Sequence, residues 1–563
     1  CQFMLRQGKF VADLCYLRPQ LPNQTYFDPK PAVPTGYKYD ECSAEALMTR
    51  MKARHGRLVL PDGMSYRALV LPADYRLMTP ALVKKIKELA ADGATIIGPR
   101  PTASPSLSDF PKCDEEVARL AAKVWGDCDG QTVTEHSFGK GKIIWGKPLA
   151  EILEQLATPA DFTASTRLNW IHRQAGDTQI YFVANETAAA VEAKCNFRVN
   201  GLRPELWDPQ TGEISPLALY EKTTDGVSVS LRLEASGSCF VVFRPQVWPF
   251  DPVMSFTRDG QAVIPLSRAP VIKIQSATYG VPGDAARTRD VQTKLQALVD
   301  GGELDFKVGK LADGDDPAYG TVKTLKAEYT VDGRQLSLTG QDPDNVSLVA
   351  AIAAEGRAAE VRCDAAGRLS IVASQPGHYE LKTASGETKQ VQIAAVPAPL
   401  EVGGEWVVHF PPKWGAPEQI TLDHLISLSD STNDGVKYFS GTATYTKTFD
   451  WNPSSENGDV ETWLNLGDVQ VMADVKLNGH DLGILWKAPF RVNITDALKP
   501  GQNALEIRVA DLWPNRMIGD AALPVAERFT WSSYEPFKKD SPLPKSGLLG
   551  PVSIQSEKRA SAL

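Results

Sequence analysis

YFSGTATYTKTF (438–449) and WLNLGDVQVMADVKLNGHDLGILWKAPFRVNITDALKPGQNALEIRVADLWPNRMIGD (463–520) decide the fold of the C-terminal part of this chain. Thr442, Thr444, Thr446 and Thr448 alternate with Ala443, Tyr445, Lys447 and Phe449. That is the period of a strand with two unlike faces. Asn478-Gly479 stands between two strand-like runs, the strongest short-range hairpin signal. Pro500-Gly-Gln-Asn503 marks a second turn, and Ala504 to Val509 alternates again. A succession of short strands of this kind predicts an antiparallel β-sandwich.

Outward from this stretch, the 563 residues exceed one core, and roughly three to five domains of about 100–200 residues are expected. The 40 Pro and 43 Gly suit a loop-rich, largely β chain. A net charge of −8 without a basic stripe excludes nucleic acid as a partner. No apolar run approaches the roughly 20 residues of a membrane helix. The opening CQFMLRQGKFVADL has neither an initiator Met nor a charged-then-apolar leader, and is read as a fragment whose natural N-terminus lies upstream. The eight Cys include no CxxC pair, which argues against a zinc ribbon or a thioredoxin-type site. Cys195 and Cys239 lie in strand-like runs of one expected domain; either they are bonded or both are buried free thiols.

Residues 1–155 read as α/β. An apolar strand spans 8–17, a helix runs over 44–54 with Ser43 as N-cap, and a buried strand covers 66–72. Pro80 opens a helix through Ala90, with Leu82, Val83, Ile86 and Leu89 at helical spacing. Strands follow at 93–98 and 142–146. This alternation implies a parallel sheet covered by helices. Residues 156–250 read as a small antiparallel β domain. Residues 251–398 read as a β-rich, sandwich-like domain with one helix near 291–299. Val396-Pro-Ala-Pro399 is a stiff linker, and the final sandwich fills 399–563.

That sandwich resembles the sugar-binding, galactose-binding-like jelly roll of family 2 glycoside hydrolases. The residues that carry the likeness are Gly441 to Tyr445, Leu464-Asn-Leu-Gly467, Ala473 to Gly479, Gly483, Ala488-Pro-Phe490, Asn493 to Asp496 and Gly501-Gln-Asn503. Trp513 to Asp520, Thr530-Trp-Ser532 and Ser546 to Val552 are similar to the C-terminal end of glycoside hydrolase family 106, the α-L-rhamnosidases. Arg6-Gln-Gly8, Val11-Ala-Asp13, Gly93 to Pro101, Ile171-His-Arg173, Ile180 to Asn185 and Pro204 to Asp208 match that family's earlier segments. The likeness implies a flavodoxin- or amidotransferase-like α/β domain after a catalytic barrel. It also implies inverting hydrolysis of terminal α-L-rhamnosyl linkages in plant polysaccharides or glycosides, by a periplasmic or secreted bacterial enzyme, with calcium in the sugar site. On this reading the barrel precedes Cys1, Cys1 to Lys9 are its end, and the acid and base are absent from the chain, which is inactive alone. The alternatives are a non-catalytic carbohydrate-binding protein and a structural assembly module.

The candidate substrate-binding residues are Trp513, Asn515, Arg516 and Asp520, expected on a loop after Val509. An aromatic face stacks on sugar C–H groups, and amide and guanidinium groups make paired hydrogen bonds. Against this stands an Arg516–Asp520 pair that fixes the C-terminal extension. Trp486 and Trp531 are second-rank, as Trp in a sandwich usually belongs to the core. Asp468 and Asp474 are the carboxylates considered for calcium. His172-Arg173 reads as an interdomain salt bridge rather than a sugar contact. Asn185-Glu-Thr187 is a glycosylation sequon, silent in a bacterium. Cys15 lacks the small neighbours of a nucleophile turn, so the α/β domain is taken as a scaffold for the barrel or for homo-oligomer contacts.

Overall fold

The computed structural model describes residues 1–20, 27–187, 189–245, 251–263, 271–331, 333–348, 357–364, 366–452 and 459–562. Its contacts divide it into two compact units, Cys1–Phe250 with Leu266–Ala351 and Asp251–Pro265 with Ile352–Leu563. No helix among the described residues is long and apolar enough to cross a membrane.

The first unit opens with a parallel sheet. Strands Leu14–Leu17, Tyr39–Cys42, Ala68–Val70, Thr95–Ile97 and Gly141–Ile144 run parallel, the first lying between the second and third. Glu135–Phe138 adds an antiparallel edge. Leu14 and Tyr16 face Ile144, Leu149 and Ile152 on one side, whereas Cys15 and Leu17 face Leu82, Ile86, Val117 and Leu120 on the other. Strands covered on both faces read as continuous apolar runs, which is why four of the five were legible; the edge strand Tyr39–Cys42, with Asp40 and Glu41, was not read. Helix Pro80–Ala91 forms as its periodicity requires. Helix Ala44–Arg50 is capped by Ser43 Oγ, which accepts from the Ala46 N–H at 3.2 Å. It stops four residues short of the expected end, because Met51 turns extended and Lys52–Arg54 begins a small meander with Arg57–Val59 and Ser65–Tyr66. Helix Lys112–Trp125 has no counterpart in the sequence reading.

The strand expected over 8–17 is two strands in different sheets. Lys9–Phe10 pairs with Asn169–Ala175 of the following domain. Met4 and Leu5 also pack there, on Ile180, Phe240 and Val242. The segment read as the end of a barrel is thus tied to the second domain.

That domain is a sandwich around Tyr181, Cys195, Phe197, Val229 and Phe243. One sheet holds Asn169–Ala175, Thr178–Ala184, Ser238–Pro245 and Leu202–Trp207; the other holds Phe162–Ala164, Val191–Phe197 and Val227–Leu233. Its expected end at 246–250 lies outside the described residues. Cys195 and Cys239 are both buried and free, so of the two alternatives it is the thiols that the structure contains.

The expected domain 251–398 is divided. Strands Ile272–Gly280, Thr324–Val331 and Arg334–Gln341 with helix Gln292–Asp300 belong to the first unit. Val253–Arg258, Gly377–Thr383 and Thr388–Ile393 form a sheet of the second. Strands Ala359–Cys363 and Leu369–Ala373 join a jelly-roll sheet through Ser553–Ser561. The boundary read at 398/399 is therefore not where pairing stops.

The jelly roll packs two sheets about Trp406, Tyr445, Leu464, Val475, Ile507 and Ile554. One sheet runs in the order Gln419–Leu422, Trp406–His409, Thr442–Trp451, Gly501–Ala510, Met472–Leu477, His480–Leu485, antiparallel throughout. The other holds Ser553–Ser561, Val460–Asn465 and Arg491–Asn493. Leu477 and His480 are register partners, so Asn478-Gly479 is a two-residue loop. Both residues have positive φ, 53° and 82°, the type I′ geometry that Asn-Gly favours.

Candidate functional site

The threonines of Thr442–Trp451 that point away from the core floor a cleft on the outer face of the jelly-roll sheet. Its volume is about 670 Å³. Thr442, Thr444 and Arg508 of the sheet line it together with Trp414, Asp511 and Trp513. The two indole rings stand 5.9 Å apart at 57°. Strand Gly501–Ala510 delivers Asp511 to the rim, where its N–H donates to Gly441 O at 2.9 Å. Ser440 Oγ donates to Leu512 O at 2.7 Å and accepts from the Arg516 N–H at 3.2 Å, so the turn behind the cleft is fixed.

Asp511 carries the site's unusual electrostatics. Its Oδ1 accepts from the Gly547 N–H at 2.6 Å, while its buried Oδ2 has no partner. Burial pushes the carboxyl up to about 7, against the pull of the Gly547 bond. A carboxylate with a raised pKa and a buried, unpartnered oxygen beside a cleft marks a functional-site candidate. Sequence reasoning missed Asp511. Its only local signal is its place at the end of an alternating strand, two residues before Trp513.

The four candidate residues are not equivalent in space. Trp513 lines the cleft and is 54% exposed. The segment after it is helix Pro514–Asp520, not a loop. Asn515, Arg516 and Asp520 are each 3% exposed. Arg516 Nε lies 3.1 Å from Asp520 Oδ1, within ion-pair reach but off the hydrogen-bonding direction. The guanidinium sits over Phe529 at 4.5 Å. The other oxygen of Asp520 accepts from the Thr530 N–H and hydroxyl at 2.7 and 2.6 Å. Asn515 Nδ2 donates to Pro544 O at 2.9 Å. These three therefore tie the extension 521–546 to the sandwich.

Several lesser expectations resolve differently. Trp486 and Trp531 are at the surface, 55% and 88% exposed, and not in the core. Asp474 pairs with Arg508 at 3.2 Å and Asp468 accepts from Gln470 at 2.7 Å. Among the described residues no group of three or more His, Cys, Asp and Glu comes together that could hold a metal ion. His172 is buried and donates through Nδ1 to Asp161 Oδ2 at 2.8 Å. Arg173 reaches the carbonyls of Gln7 and Gly8, at 2.6 and 2.9 Å, where a salt bridge was expected. The Asn185 amide is buried and donates to Ala189 O and Glu234 O, so the sequon is closed.

Comparison with known proteins bears on both ends of the chain. Residues 1–222 match the family model described as alpha-L-rhamnosidase, glycoside hydrolase family 106. Residues 425–536 match the glycosyl hydrolase 2 galactose-binding domain-like model. The resemblance read from the sequence is thus found at both ends. A "Putative beta-glucuronidase" of Formosa agariphila is 28% identical over 98% of this chain and 56% of its own length. A solved rhamnosidase from Novosphingobium sp. PP1Y is 26% identical with a TM-score of 0.64, over 98% of this chain and 40% of that one. The chain spans about half the length of the curated relative it matches. These likenesses run across nearly all of this chain and lend no support to the expectation that a catalytic barrel is missing from it.

Proposed function

We propose that this chain serves the hydrolysis of α-L-rhamnosyl linkages in plant polysaccharides or glycosides, as part of a rhamnosidase-like glycoside hydrolase, and that the jelly-roll cleft holds a sugar residue. The match of residues 1–222 to the rhamnosidase model and the likeness to the solved rhamnosidase support the family reading. The observation that carries the cleft's role is the pair of indoles, Trp414 and Trp513, that line it beside Arg508 and Asp511. A sugar ring's C–H face lies on the exposed Trp513 indole, and its hydroxyls meet Arg508 and the threonine hydroxyls of the floor. Arg516 and Asp520 act behind the cleft by holding its wall.

Inverting hydrolysis needs two carboxylates about 6.5–9.5 Å apart. The cleft is lined by one, Asp511. Its role in this proposal is therefore binding, and bond cleavage belongs to residues outside the cleft. The α/β domain is proposed as a flavodoxin-like scaffold, a reading supported by the position of Leu14–Leu17 between its second and third parallel strands. Export to the periplasm or medium follows from the same family reading.

A glucuronide is the second reading, favoured by Arg508 on the cleft floor, whose guanidinium could meet a uronate carboxylate. Calorimetric titration with methyl α-L-rhamnoside and methyl β-D-glucuronide separates the two. Rhamnoside binding that Trp513→Ala abolishes is expected. Binding of the glucuronide alone moves the assignment to the second reading, and cleavage of an aryl rhamnoside that depends on Asp511 overturns the binding role.

A further inference from the structure

The parallel sheet holds a cavity of its own. At the carboxyl ends of the neighbouring strands Leu14–Leu17 and Ala68–Val70 the chain departs in opposite directions, to Tyr39–Cys42 on one side and Thr95–Ile97 on the other. Where connections diverge in this way the sheet leaves a crevice, and open α/β sheets take their ligands there. A cavity of about 330 Å³ lies at that point, lined by Leu17 and Pro19 from one strand end and by Pro72 to Tyr75 from the other. Small-molecule sites fall at roughly 300–1,000 Å³.

Its lining is specific. The buried ring of Tyr16 has Phe27 edge-on at 6.1 Å. Tyr75 adds a third ring, and its hydroxyl donates to Gln20 O at 3.3 Å. Asp28, Asp74 and Lys30 stand at the mouth, with Lys30 Nζ 3.3 Å from Asp74 Oδ2. Arg18 lies over the Phe27 ring at 5.9 Å and is paired with Glu41, so the charges about the mouth hold no excess of cations to draw a phosphate. The turn after Leu17 reads Arg18-Pro19-Gln20, without the glycines that let backbone N–H groups cradle a nucleotide. A neutral polyhydroxylated ring meets every feature. Carboxylates accept from vicinal hydroxyls, the ammonium donates to a ring or hydroxyl oxygen, and aromatic rings take the C–H face.

We propose that the cavity between the carboxyl ends of Leu14–Leu17 and Ala68–Val70 is a monosaccharide site, held by Asp28, Lys30 and Asp74 over the rings of Tyr16, Phe27 and Tyr75. It lies in a different unit from the jelly-roll cleft and does not depend on that cleft binding sugar.

The test is calorimetric titration of the whole chain with L-rhamnose and with D-galactose, in the wild type and in Trp513→Ala. Binding that persists in Trp513→Ala and weakens about tenfold on adding Asp74→Asn or Tyr75→Ala is expected, the size of one lost charge-assisted hydrogen bond or stacking contact. The Asp74 side chain is 71% exposed, so Asp74→Asn leaves the fold intact and its loss of binding is not a loss of structure. Binding in the wild type that vanishes in Trp513→Ala overturns this site and leaves the cleft standing. Binding to Trp513→Ala that neither added substitution weakens also overturns it. No binding to the wild type overturns both sites. Wild-type affinity in Trp513→Ala, lost with Asp74→Asn, supports this site and removes the cleft.

Discussion

Asp511 accepts a 2.6 Å hydrogen bond from the backbone N–H of Gly547 through one oxygen and leaves the other buried without a partner. The pair joins the cleft's rim to the returning C-terminal strand Gly547–Gly550. Because burial raises the carboxyl to about 7 from an ordinary 3.8, the folded chain holds this proton more tightly than the unfolded chain. Its contribution to stability is complete below about pH 4 and is lost as pH rises through about 7, with a ceiling of roughly 4 kcal/mol. Asp511→Asn keeps an acceptor for Gly547 and removes the titration. The variant is expected to gain on the wild type between about pH 4 and pH 7 in urea unfolding followed by tryptophan fluorescence. Parallel pH profiles for the two proteins would refute the assignment.

Trp513 and Arg516 are neighbours with opposite expected phenotypes. Trp513→Ala removes a half-exposed ring and should shift stability by less than about 0.5 kcal/mol while weakening sugar binding. Arg516→Ala leaves Asp520 buried and unpaired, at a cost of about 3–5 kcal/mol. Paired unfolding and binding measurements on both variants check this. The reverse pattern would restore Arg516 as a direct sugar contact.

In the first unit Arg198 bridges the α/β and β domains. It donates to both oxygens of Asp13, at 2.9 and 3.1 Å, and its guanidinium lies 3.5 Å from Asp161. Both carboxylates are almost fully buried. Arg198→Met should cost about 3–5 kcal/mol, because the buried Asp13 loses its partner while Asp161 keeps His172 and Tyr181. Hydrogen exchange should rise in Leu14–Leu17 and Phe162–Ala164, and stay unchanged in Gly501–Ala510 of the other unit.

Gly479 has φ 82° and open space where a Cβ would stand. The cost of Gly479→Val is therefore backbone strain alone, about 1–2 kcal/mol. Asn478 does more than turn. Its Nδ2 donates to Ala497 O and Asn503 Oδ1, both at 2.8 Å, and its Oδ1 accepts from the Ala504 N–H. Asn478→Gly, conformationally mild, should still lose about 1–3 kcal/mol from buried groups left unpaired. Thermal unfolding of the two variants decides whether turn or network dominates.

Among the described residues no disulfide joins any of the eight cysteines, and Cys1 alone of them is exposed. Thiol titration should show one fast-reacting group in the native protein and all eight after denaturation without reductant. Two fewer would show a bond formed, with Cys195 and Cys239 the first pair to examine.

What could be read along the chain was what depends on neighbours in sequence. The I′ turn at Asn478-Gly479, the Ser43 cap and the period of Pro80–Ala91 are local, and all formed as read. Helix Ala44–Arg50 ended early because the meander that follows recruits Lys52–Arg54, a competition decided by pairing partners distant in the chain. Strand Lys9–Phe10 was merged with Leu14–Leu17 because periodicity cannot reveal that two adjacent segments pair in different sheets. Trp513 was found through residue type. Asp511 was not, because a carboxylate becomes unusual only by burial.

The sequence by itself determined the β character of the C-terminal half, the α/β start, and the likeness to rhamnosidases and to family 2 sugar-binding domains, since turn chemistry, side-chain period and family-specific strings are written in order along the chain. Tertiary structure alone decided that Arg516 and Asp520 face each other in the interior while Trp513 faces the cleft, that Ala359–Cys363 and Leu369–Ala373 belong to the jelly roll, and that two strand ends enclose a cavity. Burial, desolvation and cross-strand pairing depend on residues tens to hundreds of positions away, and no local pattern records them.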